Sequence, residues 1–225
     1  MAQKNKLQKF AELNTFKNVY QNPFHENPIL TDHTGEQIDM KGQWHKHFGN
    51  KNPITLELAC GGGEYTLAMG KDYPNRNFIG IDIKGNRIWK GARVALAEGQ
   101  DNVAFLRSRI EFIEHFFEKG EVQEIWITFA DPQLKKARKR LTSPIFLDRY
   151  RKFLAEDNLM HLKTDSPVLY EYTLEVIEEQ KLELLYENSD IYAQPLVYPE
   201  LRFKTFYEKM HLEDKRTIKY IQYKL

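Results

Sequence analysis

LELACGGGEYTLAMG (residues 56–70) runs from a strand pattern, through three consecutive glycines, into a helical pattern. Ile54, Leu56 and Leu58 alternate with polar side chains, which predicts a half-buried or buried strand ending near Leu58. Gly61, Gly62 and Gly63 then form a turn that permits positive φ and close approach to the backbone. A bare turn of this kind is also compatible with tight strand-to-helix packing and no ligand. Two acids favour a ligand. Glu57 sits inside the apolar strand, where a charge is costly without a partner. Asp82 ends the next apolar run, in the place of an acid that accepts hydrogen bonds from ribose hydroxyls.

Outward from this stretch, strand and helix patterns alternate. NFIGID (77–82), NVAFLR (102–107), EIWITF (124–129) and NLMHLKT (158–164) read as further strands. Between them Ile88, Ala92, Ala95 and Leu96, then Phe146, Tyr150, Phe153 and Leu154, then Leu169, Tyr172 and Val176, recur at helical spacing. Ser143-Pro144 and Ser166-Pro167 have the form of an N-cap followed by an N1 proline. KLELLYEN (181–188) and RTIKYIQYKL (216–225) are strand-like and predict a final antiparallel pair at one sheet edge. The expectation is an α/β domain over 51–225 with a mostly parallel seven-stranded sheet. Residues 1–50, polar and punctuated by Pro23, Pro28, Gly35, Gly42 and Gly49, are expected to be a partly flexible N-terminal extension. In such a sheet ligands sit beyond the carboxyl ends of the strands, where the glycines lie.

Composition narrows the setting. The chain has 225 residues, 41% apolar and 29% charged, enough for one domain with a full core. The single cysteine, Cys60, excludes an internal disulfide and favours a cytoplasmic protein; beside the glycines it reads as a small packing residue. No apolar run approaches the roughly 18–20 residues of a membrane span. His45 and His47 are too few for a metal site, and no metal is expected. The net charge of +1 says nothing about nucleic acid, so local clusters must decide. From Lys135 to Arg140 every position but Ala137 is cationic. Arg87, Lys90 and Arg93 share a helix face, and Lys4, Lys6 and Lys9 mark the N-terminus. Each group reads either as phosphate-holding or as a solvated surface.

The ligand class follows from the loop. Gly61-Gly62-Gly63-Glu64-Tyr65-Thr66 lacks the third glycine of the dinucleotide fingerprint and places Glu64 where a pyrophosphate would lie. A cationic adenosyl ligand suits these acids better. Here the chain resembles the class I S-adenosylmethionine-dependent methyltransferases, and more narrowly the bacterial tRNA (guanine-N7)-methyltransferases of the TrmB type. ELACGGGE (57–64) and GID (80–82) carry the broad likeness. ADPQLKKARKRLT (130–142), KTD (163–165) and TFYE (205–208) carry the narrow one.

The resemblance implies a Rossmann-like fold with helices on both faces and an antiparallel C-terminal edge strand. It implies S-adenosylmethionine as methyl donor and N7 of guanine 46, in the tRNA variable loop, as acceptor. Cofactor contacts carry over to Glu57, Gly61, Gly63, Asp82 and Asp131. The family's further cofactor acid falls on Arg109, with Glu111 close by; either Glu111 supplies the acid or backbone groups hold the adenine. Asp131 is the implied catalytic residue, with Asp165 able to share its part. Lys135, Asp165, Thr205, Phe206, Tyr207 and Glu208 are implied substrate contacts. The family's Pro-Asp-Pro-Trp reads Ala130-Asp131-Pro132-Gln133, and the following basic run is shorter and lacks its histidine. An aromatic among Phe203, Phe206 and Tyr207 either faces the base or lies in the core. Methylation of another RNA position or a small molecule, or tRNA binding without methylation, are the alternatives. A monomer and a homodimer are both compatible with the sequence.

Overall fold

The computed structural model of the chain describes residues 5–22 and 27–225, so Lys4 and Pro23 lie outside the described residues. The N-terminal segment forms α1 (Lys6–Leu13), three short strands β1 (Val19–Gln21), β2 (Leu30–Thr31) and β3 (Gln37–Ile38), and α2 (Trp44–Phe48). The first half of the α/β domain follows as β4 (Ile54–Leu58), α3 (Glu64–Asp72), β5 (Asn77–Asp82), α4 (Gly85–Glu98) and β6 (Val103–Arg107). The second half is β7 (Val122–Thr128), α5 (Pro144–Tyr150), β8 (Leu154–Thr164), α6 (Pro167–Glu179), β9 (Glu183–Asn188), α7 (Phe206–Glu213) and β10 (Lys219–Lys224). Among the described residues no helix is long and apolar enough to cross a membrane.

The strands form one sheet in the order β3-β2-β1-β6-β5-β4-β7-β8-β10-β9. From β1 to β8 neighbours run parallel, and β10 is antiparallel to both β8 and β9. The seven strands expected within 51–225 are all present. The antiparallel pair also forms as expected, but β10 lies one place in from the edge and β9 is outermost. Burial accounts for this order: Tyr220, Ile221 and Tyr223 of β10 are buried, whereas Leu184 and Leu185 of β9 are exposed. The N-terminal segment extends the sheet, because Val19–Gln21 pair in parallel with Phe105–Arg107 of β6. One helix reading is corrected. Phe153 and Leu154 continue the helical spacing of Phe146 and Tyr150, yet α5 ends at Tyr150 and Leu154 starts β8.

Every central strand alternates between two cores, so both faces are covered. Ile54, Leu56 and Leu58 join Ile79, Ile81, Ala104, Leu106, Ile125 and Ile127 under α2, α5 and α6. The other face carries Phe78, Val103, Phe105 and Trp126 under α1, α3 and α4. On that face the register puts Glu57 beside Gly80 and Gly80 beside Phe105. The bare Gly80 lets the Phe105 ring lie across its strand: a Cβ there would stand 2.9 Å from the ring. Gly63 (φ +71°) closes over the same ring, with a Cβ position 2.5 Å from Phe105. Gly61 (φ +57°) differs, since a Cβ there would meet nothing within 4 Å. One glycine of the loop thus serves the core, and another leaves space open at the ends of the strands.

Gly63→Ala is therefore expected to lose roughly 2–4 kcal/mol, combining the left-handed penalty with overpacking against Phe105. Urea unfolding checks this. A loss under about 1 kcal/mol would mean that the ring moves aside freely.

Candidate active site

A cleft with two lobes opens at the carboxyl ends of β4, β5 and β7. One lobe, about 350 Å³, is walled by Ile83, Ser108, Arg109, Ile110, Glu111, Lys139, Leu141 and Phe146. The other, about 480 Å³, is walled by Cys60, Gly61, Gly62, Glu64, Lys84, Arg87, Thr128, Phe129, Thr205 and Tyr207. Ala59, Asp82, Ile83, Ala130, Asp131 and Gln133 border both. The expected Gly61, Asp82, Arg109, Glu111, Asp131, Thr205 and Tyr207 thus meet in one place.

Asp82 ends β5 at the junction of the lobes. Its carboxylate accepts from Gly61 N at 3.0 Å and from Lys84 N at 2.8 Å, which fixes both the acid and the glycine turn. Glu64 opens α3 and reaches Lys90 at 3.2 Å. The first lobe is apolar on Ile83, Ile110, Leu141 and Phe146, which suits a flat purine. Glu64, Asp82 and Asp131 bring carboxylates to the second lobe, which suits a sulfonium and an ammonium. Together with the space open at Gly61, the residues fit an S-adenosyl ligand.

Glu57 does not line the cleft. Its side chain is 1% exposed. One carboxylate oxygen accepts from the Thr66 backbone N–H at 2.9 Å and from the Thr66 hydroxyl; the other accepts from Thr128 Oγ1 at 2.6 Å. Glu57 thus forms a brace behind the loop, because β4 points it under α3. Burial raises its pKa to about 7, the threonine hydrogen bonds opposing that rise. Burial likewise pushes the Cys60 thiol well up, in keeping with a packing residue.

Asp131 stands exposed on the rim, with Oδ1 accepting from Gln133 N at 2.9 Å. Three non-glycine residues with positive φ, Ala59 (57°), Phe129 (49°) and Gln133 (47°), border this cleft. Such conformations cost energy and cluster where a loop is held for function. The basic run divides. Lys135, Lys136, Arg138 and Lys139 are exposed. Arg140 is 7% exposed; its Nε donates to Pro132 O at 3.0 Å and its guanidinium lies 4.4 Å from the Tyr172 ring centroid. It braces the Asp131 loop, so a phosphate-holding reading of the run excludes it. Ser143 Oγ also ties this loop, donating to Arg138 O, while its helix starts on Pro144 without a side-chain cap.

The TFYE segment forms the first turn of α7. Thr205 caps it, accepting from Glu208 N at 3.1 Å. Glu208 is fully buried: it is paired with Lys163 at 2.8 Å and accepts from Tyr192 OH at 2.6 Å. Lys163 also donates to Leu201 O and Phe203 O at 2.9 Å. In this arrangement the Glu208 carboxylate is taken up by Lys163 and Tyr192, and the pair anchors α7. Removing one partner of such a pair typically costs several kcal/mol. Asp165 lies behind α7, bonded to Arg216 at 2.9 Å with His211 at 3.6 Å. Lys135 and Phe206 are exposed outside the cleft walls.

Sequence reading missed Thr66, Thr128, Lys163 and Tyr192. A carboxylate within an apolar strand signals that donors must exist, but not where. It also missed the apolar wall of Ile83, Ile110, Leu141 and Phe146, contributed by four separate segments. His47 Nδ1 meets Tyr20 OH at 2.9 Å. Among the described residues no group of three or more His, Cys, Asp or Glu is placed to hold a metal ion.

A methyltransferase family model, Methyltransf_4, matches residues 51–221. The chain is 49% identical over 223 residues to the tRNA (guanine-N(7)-)-methyltransferase of Bacteroides thetaiotaomicron, covering 99% of this chain and 86% of that one. It is 48% identical to the Christiangramia forsetii protein of the same name, covering both chains fully. The chain belongs to the tRNA (guanine-N7-)-methyltransferase family. The 16S rRNA methyltransferase KamB shares the methyltransferase fold (TM-score 0.63, 12% identity, 84% of this chain and 95% of that one). So does a SAM-dependent methyltransferase from Aquifex aeolicus (TM-score 0.54, 13% identity, 81% and 87%).

The Glu57 brace in this methyltransferase carries a pH signature. Its folded pKa of about 7 exceeds the ordinary 4.5, so its unfavourable contribution is absent below the lower value and complete above the upper one. The stability of the wild type relative to Glu57→Gln should therefore fall by on the order of 3 kcal/mol as pH rises across that window. Denaturant unfolding at a series of pH values measures it; a constant difference would mean an ordinary carboxylate.

Proposed function

We propose that this chain transfers a methyl group from S-adenosylmethionine to N7 of guanine 46 in the variable loop of tRNA. The observation that carries the reading is the shared cleft. Asp82, the open Gly61 and the rim acid Asp131 line it together, and Lys139 of the exposed basic run borders its apolar lobe. The full-length likeness to tRNA (guanine-N(7)-)-methyltransferases supports the choice of atom.

S-adenosylmethionine supplies an electrophilic methyl group when bound. Asp82 would hold the ribose, the Gly61–Gly63 backbone would flank the aminoacyl part, and the apolar lobe with Arg109 and Glu111 would take the adenine. Guanine N7 carries a free lone pair, so no residue need remove a proton before attack. The protein's task is alignment, which for ideally oriented reactants is worth on the order of 7–11 kcal/mol. Asp131, at the junction of the lobes, favours the positive charge that develops on the guanine. Its carboxylate can also accept from N1–H and the 2-amino group, fixing which edge faces the donor. The exposed lysines and Arg138 meet phosphates and position the tRNA without reading its sequence.

Incubation with S-adenosylmethionine and unmethylated tRNA should yield 7-methylguanosine, mapped to position 46 by cleavage at the modified base. Asp131→Ala should slow its formation at least about 100-fold, or ~2.7 kcal/mol, with S-adenosylhomocysteine affinity little changed. Activity within about tenfold of wild type would remove Asp131 from the chemistry. Binding of tRNA without any methylated product would leave a tRNA-binding protein.

A further inference from the structure

Guanine and adenine both present N7, so attack by N7 does not by itself select guanine. The two bases differ beside it: guanine carries the acceptor O6 where adenine carries an amino donor. Selection therefore calls for a hydrogen-bond donor at O6. An uncharged donor suits the chemistry, because the ring becomes cationic as N7 is methylated and a cation at O6 would oppose that charge.

We propose that the side-chain amide of Gln133 is this donor, its Nε2–H group bonding O6 of the target guanine while Asp131 takes the N1–H side. This rests on the reading of the protein as a tRNA guanine methyltransferase. Of the residues that wall the two lobes, Gln133 alone carries an amide. It borders both lobes, as Asp131 does, and is half-buried. Its backbone polar groups are taken up locally: N donates to Asp131 Oδ1 at 2.9 Å, and O accepts from Lys136 N at 3.0 Å. Its side chain forms no hydrogen bond among the described residues. What Gln133 offers the cleft is therefore the amide. The neighbouring hydroxyls are tied within the protein, Ser108 donating to Arg109 O at 3.2 Å and Thr128 to Glu57 at 2.6 Å. Lys84, Arg87, Arg109 and Lys139 also wall the cleft, but they are cations.

The backbone supports the assignment. Gln133 has φ +47°, in the left-handed region that costs an ordinary residue roughly 1–2 kcal/mol and glycine almost nothing. Glycine would make the same turn more cheaply, so the side chain is carried at a cost, as at functional loops. The turn is held from beneath, since Pro132 O accepts from Arg140 Nε at 3.0 Å. The bond from Gln133 N to Asp131 fixes the carboxylate and the amide to each other. An acceptor and a donor two residues apart thus face the cleft together, matching N1–H and O6, which are neighbours on one edge of guanine.

The test combines one change in the base with one in the enzyme. Wild type, Gln133→Leu and Gln133→Gly are assayed on tRNA carrying guanine, 6-thioguanine or hypoxanthine at the target position. Affinity for S-adenosylhomocysteine and the melting temperature are measured alongside. 6-Thioguanine keeps N1–H and the 2-amino group but puts sulfur, a poor acceptor, in place of O6. Hypoxanthine keeps O6 and N1–H and lacks the 2-amino group. On guanine, both variants should lose about tenfold in kcat/KM, the worth of one neutral hydrogen bond. On 6-thioguanine, wild type and variants should lie within about twofold of one another, because the partner of the amide is already gone. On hypoxanthine the gap should stay at about tenfold. Gln133→Gly should equal or exceed the wild-type melting temperature, since it relieves the left-handed turn, so its loss of activity is not a loss of fold. Equal activity on guanine, a gap that persists on 6-thioguanine or disappears on hypoxanthine, or weakened S-adenosylhomocysteine binding would overturn the assignment. Absence of 7-methylguanosine from the wild-type reaction would instead overturn the reading on which it rests.

Discussion

Glu57 is the constraint on which the cleft depends. Its carboxylate is buried between β4, α3 and β7, where an unpaired charge could not persist. Thr66 meets it from the start of α3, and Thr128 from the end of β7. One side chain therefore ties the helix that follows the glycine loop to the strand that leads to Asp131. The two banks of the cleft cannot drift apart without leaving that acid uncompensated. Gly80, next to Glu57 across the sheet, leaves room for Phe105, and Gly63 closes over the same ring. The loop is thus held by a polar tie and an apolar contact.

The second bank is built in the same manner. Lys163 and Glu208 form a buried pair that carries the first turn of α7 to the cleft. Arg140 and Ser143 restrain the Asp131 loop from beneath. In each case a charged or polar residue with a functional appearance works from behind, and a neighbour one to four places away reaches the open space. Glu57 supports Gly61, Glu208 supports Tyr207, and Arg140 supports the exposed Lys139.

That pattern explains what the sequence could and could not reveal. Period-two alternation at Ile54, Leu56 and Leu58, and again along the later strands, made the parallel sheet legible, because burial on both faces demands it. The glycine run and Asp82 located the cleft, since an open sheet places its ligand at the strand ends. Glu57 was legible as unusual but not as a brace, and Glu208 only as a substrate contact that the resemblance implied: a buried acid signals a partner, and the partners Thr66, Thr128, Lys163 and Tyr192 lie on other segments. The strands β1 to β3, of two or three residues, are too short to carry a period, so the sheet's extension by the N-terminal segment was illegible. The inward place of β10 depends on its burial relative to β9, a property of the assembled sheet.

The proposed methyl-transfer site is the two-lobed cleft, with Glu57 as its brace. A crystal structure with S-adenosylhomocysteine tests this most directly. Ribose hydroxyls are expected about 2.6–3.2 Å from the Asp82 carboxylate, adenine between Ile83, Ile110 and Phe146, and Glu57 still bonded to Thr66 and Thr128. A ligand seated away from Asp82 would place the methyl-transfer site elsewhere, and a Glu57 side chain turned out to meet it would remove the brace.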